Sequence, residues 1–150
     1  METNETVQSK ITTLFDIAKN LNPLHVKQII GSITQRQLND ITSAGVDISE
    51  SYKHTIDIYA IIHSLKKHGN KITEEPRGQV AITKADFEKI PDILDSYDKI
   101  SVSQNKRKQD VIIYQKAYDD GTTLYAEEVR VGREELAMGT LYKMKKALES

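Results

Sequence analysis

The chain has 150 residues, a mass of 17.0 kDa and a formal net charge of −1. That length suits one domain on the usual prior of roughly 100–200 residues each, and it is long enough to fold without staples. No cysteine is present, which removes disulfides, thiolate metal sites and cysteine nucleophiles together.

Apolar runs such as Tyr59-Ala60-Ile61-Ile62 fall far short of the ~20 residues of a membrane helix. The acidic opening Met1-Glu2-Thr3-Asn4-Glu5 does not read as a signal peptide. From Lys99 to Ser150 there are ten basic against eight acidic residues, and from Met1 to Asp98 eleven against fourteen. So weak an asymmetry does not by itself advertise nucleic-acid binding.

The first half reads as helices. Val7, Ile11, Leu14, Phe15 and Ala18 fall on one helical face over residues 7–20, and Asn20-Leu21-Asn22-Pro23 stops that helix. Leu24 to Ile33 is a short helical candidate. Ser32 or Thr34 caps a further helix running to Ala44, with Gly45 as its C-terminal stop. Val46-Asp47-Ile48 is a short extended piece. Residues 54–69 read as a helix with Ile58, Ile61, Ile62 and Leu65 as its stripe. Lys66, Lys67 and His68 lie in its last turn, where the dipole favours cations.

Asn70 to Gly78 is a polar loop, and Gln79 to Ile82 a strand. Thr83 and Asp86 form a capping box that starts a helix at Lys84, and Pro91 breaks it or opens a second short one. The final third is strand-rich: Asp110 to Tyr118, a turn at Asp119-Asp120-Gly121, Thr122 to Val131, a turn at Gly132-Arg133, and Glu134 to Lys143. Simple alternation puts Leu136, Met138, Thr140 and Tyr142 on one face of the last strand. Helices followed by an antiparallel meander give an α+β fold.

No phosphate-binding glycine loop, nucleophile elbow or metalloprotease motif is present. His25, His54, His63 and His68 carry the titratable interest. His63 and His68 are roughly 140° apart around a helix, and neither has an acid at i+3 or i+4, a poor pattern for zinc. A histidine at a helix end suits acid–base chemistry at neutral pH, or simply caps carbonyls. Tyr114 and Lys116 share one strand face, as do Thr140 and Tyr142. A lysine, a hydroxyl and a phenol on one sheet face would bind a phosphate and stack a base; the alternative is a half-polar solvent face.

An ordered set of segments resembles a phage-associated nuclease family of the barnase–EndoU–colicin–RelE-like group (the BECR fold). It comprises His54-Thr55-Ile56-Asp57, Ala60-Ile61-Ile62-His63 and Lys67-His68-Gly69-Asn70, then Arg77 to Thr83, Asp86-Phe87, Ile90 to Leu94 and Asp98-Lys99-Ile100. It ends with Ile113-Tyr114-Gln115-Lys116, Glu127-Glu128-Val129-Arg130, Leu136-Ala137 and Thr140-Leu141-Tyr142-Lys143. The resemblance spans roughly residues 50 to 146, and it divides the chain into a helical N-terminal segment, 1–45, and a nuclease domain, 46–150.

The resemblance implies N-terminal helices packed on a small twisted antiparallel sheet, with the active site on the open sheet face. It implies metal-independent, cofactor-free RNA cleavage by a toxin aimed at tRNA, giving 2′,3′-cyclic phosphate and 5′-OH ends. The runner-up is a non-catalytic RNA- or protein-binding module on the same fold. By position, His68 is the first acid–base group, and His63 or His54 the second acid–base or orienting group. Lys116 stabilises the phosphorane, while Thr140 and Tyr142 hold the scissile phosphate. Arg77 and Arg130 contact RNA phosphates, and Glu128 orients a base or pairs with Arg130. Because the chain is near neutral, a positive groove has to come from local placement of Lys66, Lys67, Lys106, Arg107, Lys108, Lys116, Arg130 and Lys143. The implied partners are RNA and a cognate immunity or antitoxin protein, with no membrane. The implied site of action is the cytoplasm, after delivery into a target cell or carriage by a phage or mobile element.

Overall fold

The computed structural model describes residues 4–19, 27–68 and 79–145. Arg77, His25, Gly69, the stop at Asn20 to Pro23 and the loop from Asn70 to Gly78 lie outside the described residues. The chain runs α1 (Asn4–Lys19), β1 (Lys27–Ser32), α2 (Gln35–Ser43), β2 (Lys53–Asp57), α3 (Ile58–His68), β3 (Gln79–Val80), α4 (Lys84–Glu88) and α5 (Ile90–Ser96). Then come β4 (Lys99–Gln104), β5 (Asp110–Tyr118), β6 (Gly121–Arg130), a 3-10 turn (Val131–Arg133) and β7 (Glu135–Met144).

The strands form one sheet in the order β1-β2-β7-β6-β5-β4, with β3 paired to β7. The fold is therefore α+β, as the sequence pattern implies. The sheet is not wholly antiparallel, because β2 pairs with β7 in parallel. Beyond that pairing, α3 takes the place of a neighbouring strand: the Ser64 hydroxyl accepts from the Leu141 N–H at 3.2 Å, which satisfies an edge amide of β7.

Two segments read as helix differ. Lys27 to Ser32 is a strand, since the β-branched pair Ile29-Ile30 finds a partner in β2, with an irregularity between Ile29 and Gly31. His54 to Asp57 is also strand; the helix begins only at Ile58, where Asp57 Oδ1 accepts from the Tyr59 N–H at 2.8 Å. The strand β4 pairs antiparallel with β5 and adds a fourth strand to the meander.

Local signals hold at the caps and turns. Thr34 and Gln37 form the capping box of α2, with Thr34 Oγ1 accepting from the Gln37 N–H at 3.1 Å. Pro91 falls in the first turn of α5, where a missing N–H is harmless. Gly121 closes the two-residue turn after Tyr118 with φ +140, and a Cβ there would collide with the Met144 carbonyl, so only glycine fits.

One core joins the helices to one face of the sheet. Val7, Ile11, Leu14 and Phe15 of α1 share it with Ile41, Ile61, Phe87, Ile93, Ile112, Tyr114, Tyr125 and Leu141. The stripe of α1 is thus spent on the same core as the sheet. The other sheet face is only partly covered, with Ile113, Gln115, Leu124, Glu128, Thr140 and Tyr142 all partly exposed.

Candidate nucleic-acid interface

Strand register decides which side chains meet. Tyr114 pairs with Tyr125, and Tyr125 with Leu141, all three fully buried, so this row faces the helices. Lys116, opposite Thr123, and Lys143, also opposite Thr123, lie on that same covered face. Ile113, Ala126 and Thr140 form the next row and face away, followed by Gln115, Leu124 and Tyr142.

The assignment of Thr140 and Tyr142 to the face of Leu136 and Met138 is corrected by a β-bulge. Glu127 pairs with Met138 but Ala126 pairs with Thr140, so Gly139 is an extra residue. It turns the strand by one position and sends Thr140 and Tyr142 to the open face. The expectation that Lys116 joins them is overturned by the same alternation. Lys116 Nζ instead bonds the Ser96 hydroxyl and pairs with Asp92 at 3.1 Å, both on α5.

Lys143 is likewise corrected as an RNA contact. It is buried, with Nζ 3.0 Å from Asp86 Oδ1 and 2.9 Å from Asp120 Oδ2. Burial works against its ammonium, but hydrogen bonds from Nζ to Asp120 and Asp86 outweigh that and raise its pKa. Tyr114 is fully buried, so its ring is unavailable for stacking on a base. Burial, and then the charge of Glu127, pushes its phenol pKa well up.

The histidines do not converge. His63 is exposed on α3, whereas His68 on the same helix is buried against the Tyr142 ring at 5.4 Å between centroids. His54 belongs to the covered face. Its Nδ1 lies 2.8 Å from Glu127 Oε2 and its Nε2 2.8 Å from Gln37 Oε1. That Gln37 oxygen also accepts from the Thr34 N–H, while the Gln37 amide group donates to the Leu94 carbonyl. His54 Nε2 must therefore donate to Gln37, leaving Nδ1 and Glu127 to share one proton. Tyr125, also fully buried, has its phenol pushed well up by burial and then by Glu127. His54 is engaged at both nitrogens inside the core.

What the open face does bring together is a row running Arg130, Glu128, Thr140, Tyr142, with His68 of α3 buried against Tyr142 at its end. Arg130 and Glu128 pair at 3.4 Å, both partly exposed. A Cβ placed on Gly139 would stand 3.8 Å from Glu128 Cγ, so Glu128 lies over the bulge next to Thr140. The Thr140 hydroxyl is 3.4 Å from that of Ser64 on α3. Burial raises the Tyr142 pKa, keeping a phenol able to donate. A cation, a carboxylate, two hydroxyls and an imidazole in one row can hold a phosphate and move protons on either side of it.

Beyond Arg130 the row opens into a groove of about 670 Å³, whose lining includes Arg107, Lys108, Asp110, Arg130 and Arg133. Arg133 was not among the sequence candidates. Its place follows from β4, which the sequence reading lacked: in the four-stranded meander β4–β7 the first and third turns emerge at the same end, which brings Lys106-Arg107-Lys108 toward Arg130 and Arg133. Among the described residues, no group of three or more His, Asp or Glu is placed to hold a metal ion. No helix among them is long and apolar enough to cross a membrane.

The domain is α+β, and its partly open sheet face carries Arg130, Glu128, Thr140 and Tyr142. Residues 28–150 match the family described as phage-Barnase-EndoU-ColicinE5/D-RelE like nuclease 3, and the chain belongs to that nuclease family. The match takes in β1 and α2, upstream of the segments that carry the resemblance. No curated protein and no solved structure matches the chain significantly.

Proposed function

We propose that the chain is a metal-independent RNA endonuclease, a toxin domain that cuts tRNA and leaves 2′,3′-cyclic phosphate and 5′-OH ends. The observation that carries this reading is the row on the open face, with Thr140 at its middle. Thr140 stands opposite Ala126, two residues from Glu128 along β6 and two from Tyr142 along β7. At about 3.3 Å per residue, each neighbour is roughly 7 Å away along its strand.

A phosphate seated over Thr140 then has Glu128 on one side and His68 with Tyr142 on the other. Glu128 takes the proton of the ribose 2′-OH as its oxygen attacks phosphorus. The bond from phosphorus to the 5′-oxygen breaks, and His68 gives that oxygen a proton. Arg130 leaves Glu128 for the phosphate and, with Thr140 and Tyr142, stabilises the charged phosphorane. His63 has no part in this arrangement, and His54 and Lys116 support the fold from the covered face. An immunity or antitoxin protein would act by covering the row, and the site of action would be the cytoplasm of a target cell.

The test is incubation of the purified protein with total tRNA in EDTA, beside His68→Ala and Glu128→Ala, with the ends mapped. Discrete cuts bearing cyclic phosphates, lost in both variants while circular dichroism is unchanged, are expected. Intact RNA over a wide range of protein and RNA substrates overturns the proposal and leaves the binding-module reading.

A further inference from the structure

Apart from Arg130 at its mouth, the basic groove at the end of the sheet is not used by the chemistry above. Its walls are the turn between β4 and β5 and the 3-10 turn before β7, contributing Arg107, Lys108 and Arg133, with Arg130 at its mouth. Several cations elsewhere are held by acids: Lys143 by Asp86 and Asp120, Lys116 by Asp92, Lys84 by Asp16 and Lys27 by Glu135. Arg107, Lys108 and Arg133 are exposed, and among the described residues none is ion-paired with an acid. The one carboxylate in the groove, Asp110, accepts from the Gln104 amide at 3.4 Å. A chain with net charge −1 has thus gathered unneutralised cations in one concave place.

The backbone is shaped to do this. Lys108 has φ 61 and Glu134, just after Arg133, has φ 51, both left-handed without being glycine. Such positions are sparsely populated and persist where the surroundings fix them. The Lys108 turn is held by Asn105, whose Oδ1 accepts from the N–H groups of Arg107 and Gln109 at 2.9 and 3.0 Å. Arg130 lies four residues along β6 from the residue opposite Thr140, about 13 Å away. That is a backbone separation, and the Arg130 side chain folds back over part of it toward Glu128, whereas Arg107, Lys108 and Arg133 lie farther out, within reach of a strand running along the sheet.

We propose that this groove binds the sugar–phosphate backbone of single-stranded RNA away from the cut, as an electrostatic subsite for phosphates flanking the scissile one. The direction of the strand rests on the open-face reading above; the groove's own chemistry does not. Contacts of this kind release counterions, so binding weakens with salt, with a slope of about 0.7 per phosphate contact on a single strand.

The experiment measures binding of a fluorescent 2′-O-methyl RNA 12-mer, which cannot form a cyclic phosphate, across a range of salt. The triple variant Arg107→Ala/Lys108→Ala/Arg133→Ala is expected to lose about 2 units of salt slope and roughly tenfold or more in affinity at low salt. Lys84→Ala, a cation among the helices, should leave the slope alone. The single variant Arg133→Ala, expected to lose about 0.7 units, keeps the test open if the triple variant is poorly folded by circular dichroism. An unchanged slope in the variants, or no binding by the wild type, overturns the subsite. The two proposals fail separately. Slope-dependent binding by a protein that leaves ordinary RNA intact removes the nuclease and keeps the groove. Cleavage with an unaltered slope does the reverse.

Discussion

Glu127 and Glu128 are neighbours in one strand with opposite fates. Glu127 points to the helices, is fully buried, and shares a proton with His54 at 2.8 Å. Glu128 points to the open face and keeps 27% of its side-chain surface beside Arg130 at 3.4 Å. The two faces repeat this contrast across the sheet. The covered face holds polar groups whose loss would leave a partner stranded in the core, and the open face holds polar groups that solvent or substrate can reach. Chemistry available to a ligand therefore follows strand parity more closely than residue type.

The largest expected effect breaks the comparison on the activity side. Glu128→Ala and Arg130→Ala should each lower RNA cleavage by ~10²-fold or more while shifting stability by less than about 1 kcal/mol, since a partly exposed pair contributes little. Glu127→Ala should behave the other way. Removing one member of a buried pair costs about 3–5 kcal/mol, read as a lower urea midpoint, and any loss of cleavage should track the unfolded fraction. If Glu127→Ala stayed stable and inactive while Glu128→Ala unfolded, the assignment of faces would be wrong.

Parity is also why part of the site was not legible in the sequence. The meander strands β5, β6 and β7, their turns and the Thr83–Asp86 capping box announce themselves through alternation and cap residues, while the cap of α2 is left between Ser32 and Thr34. Gly139 does not announce itself as a bulge, because nothing local distinguishes an extra residue from a paired one. That single residue moves Thr140 and Tyr142 across the sheet, away from Lys116. Strands β1 and β2 were hidden for a different reason. Ile29-Ile30 and Thr55-Ile56 are too short to show a period, and only pairing with each other and with β7 makes them strands. His54 and His68 look alike in sequence, and only the folded register sends one to the core and the other to Tyr142.

A smaller effect sharpens the comparison through pH. The Asp92 carboxyl is held below the usual range chiefly by the Tyr118 hydroxyl at 2.6 Å, and the Asp120 carboxyl chiefly by Lys143. A carboxyl depressed on folding adds stability that is fully present above its unfolded value near ~3.9 and is lost as pH falls through the folded value. Stability should therefore decline from about pH 4 downward. Asp92→Asn/Asp120→Asn should flatten that acid limb in urea titrations. Lys143 is raised on folding, so its contribution is present below ~10.4 and lost as pH climbs through its folded value. Both limbs belong to the covered side, and neither should coincide with the pH profile of cleavage. A cleavage profile that followed the acid limb and shifted in the double variant would mean that the helices, not the open face, hold the reacting groups.

The smallest expected effect is that of Lys116→Ala. A free lysine on a sheet face is an obvious phosphorane stabiliser, and a cation in that role is worth several kcal/mol in the transition state. Here the register turns Lys116 toward α5, where Ser96 and Asp92 occupy its ammonium and 21% of its side-chain surface remains exposed. Losing that pair should lower stability by less than about 1 kcal/mol. Cleavage should fall by less than about threefold, against the ~10²-fold or greater loss expected of Arg130→Ala. The ratio of the two losses in kcat/KM is a direct readout of which face touches RNA. A Lys116→Ala loss as large as that of Arg130→Ala would place the phosphate between β5 and α5, and would require the helix to move aside when RNA binds.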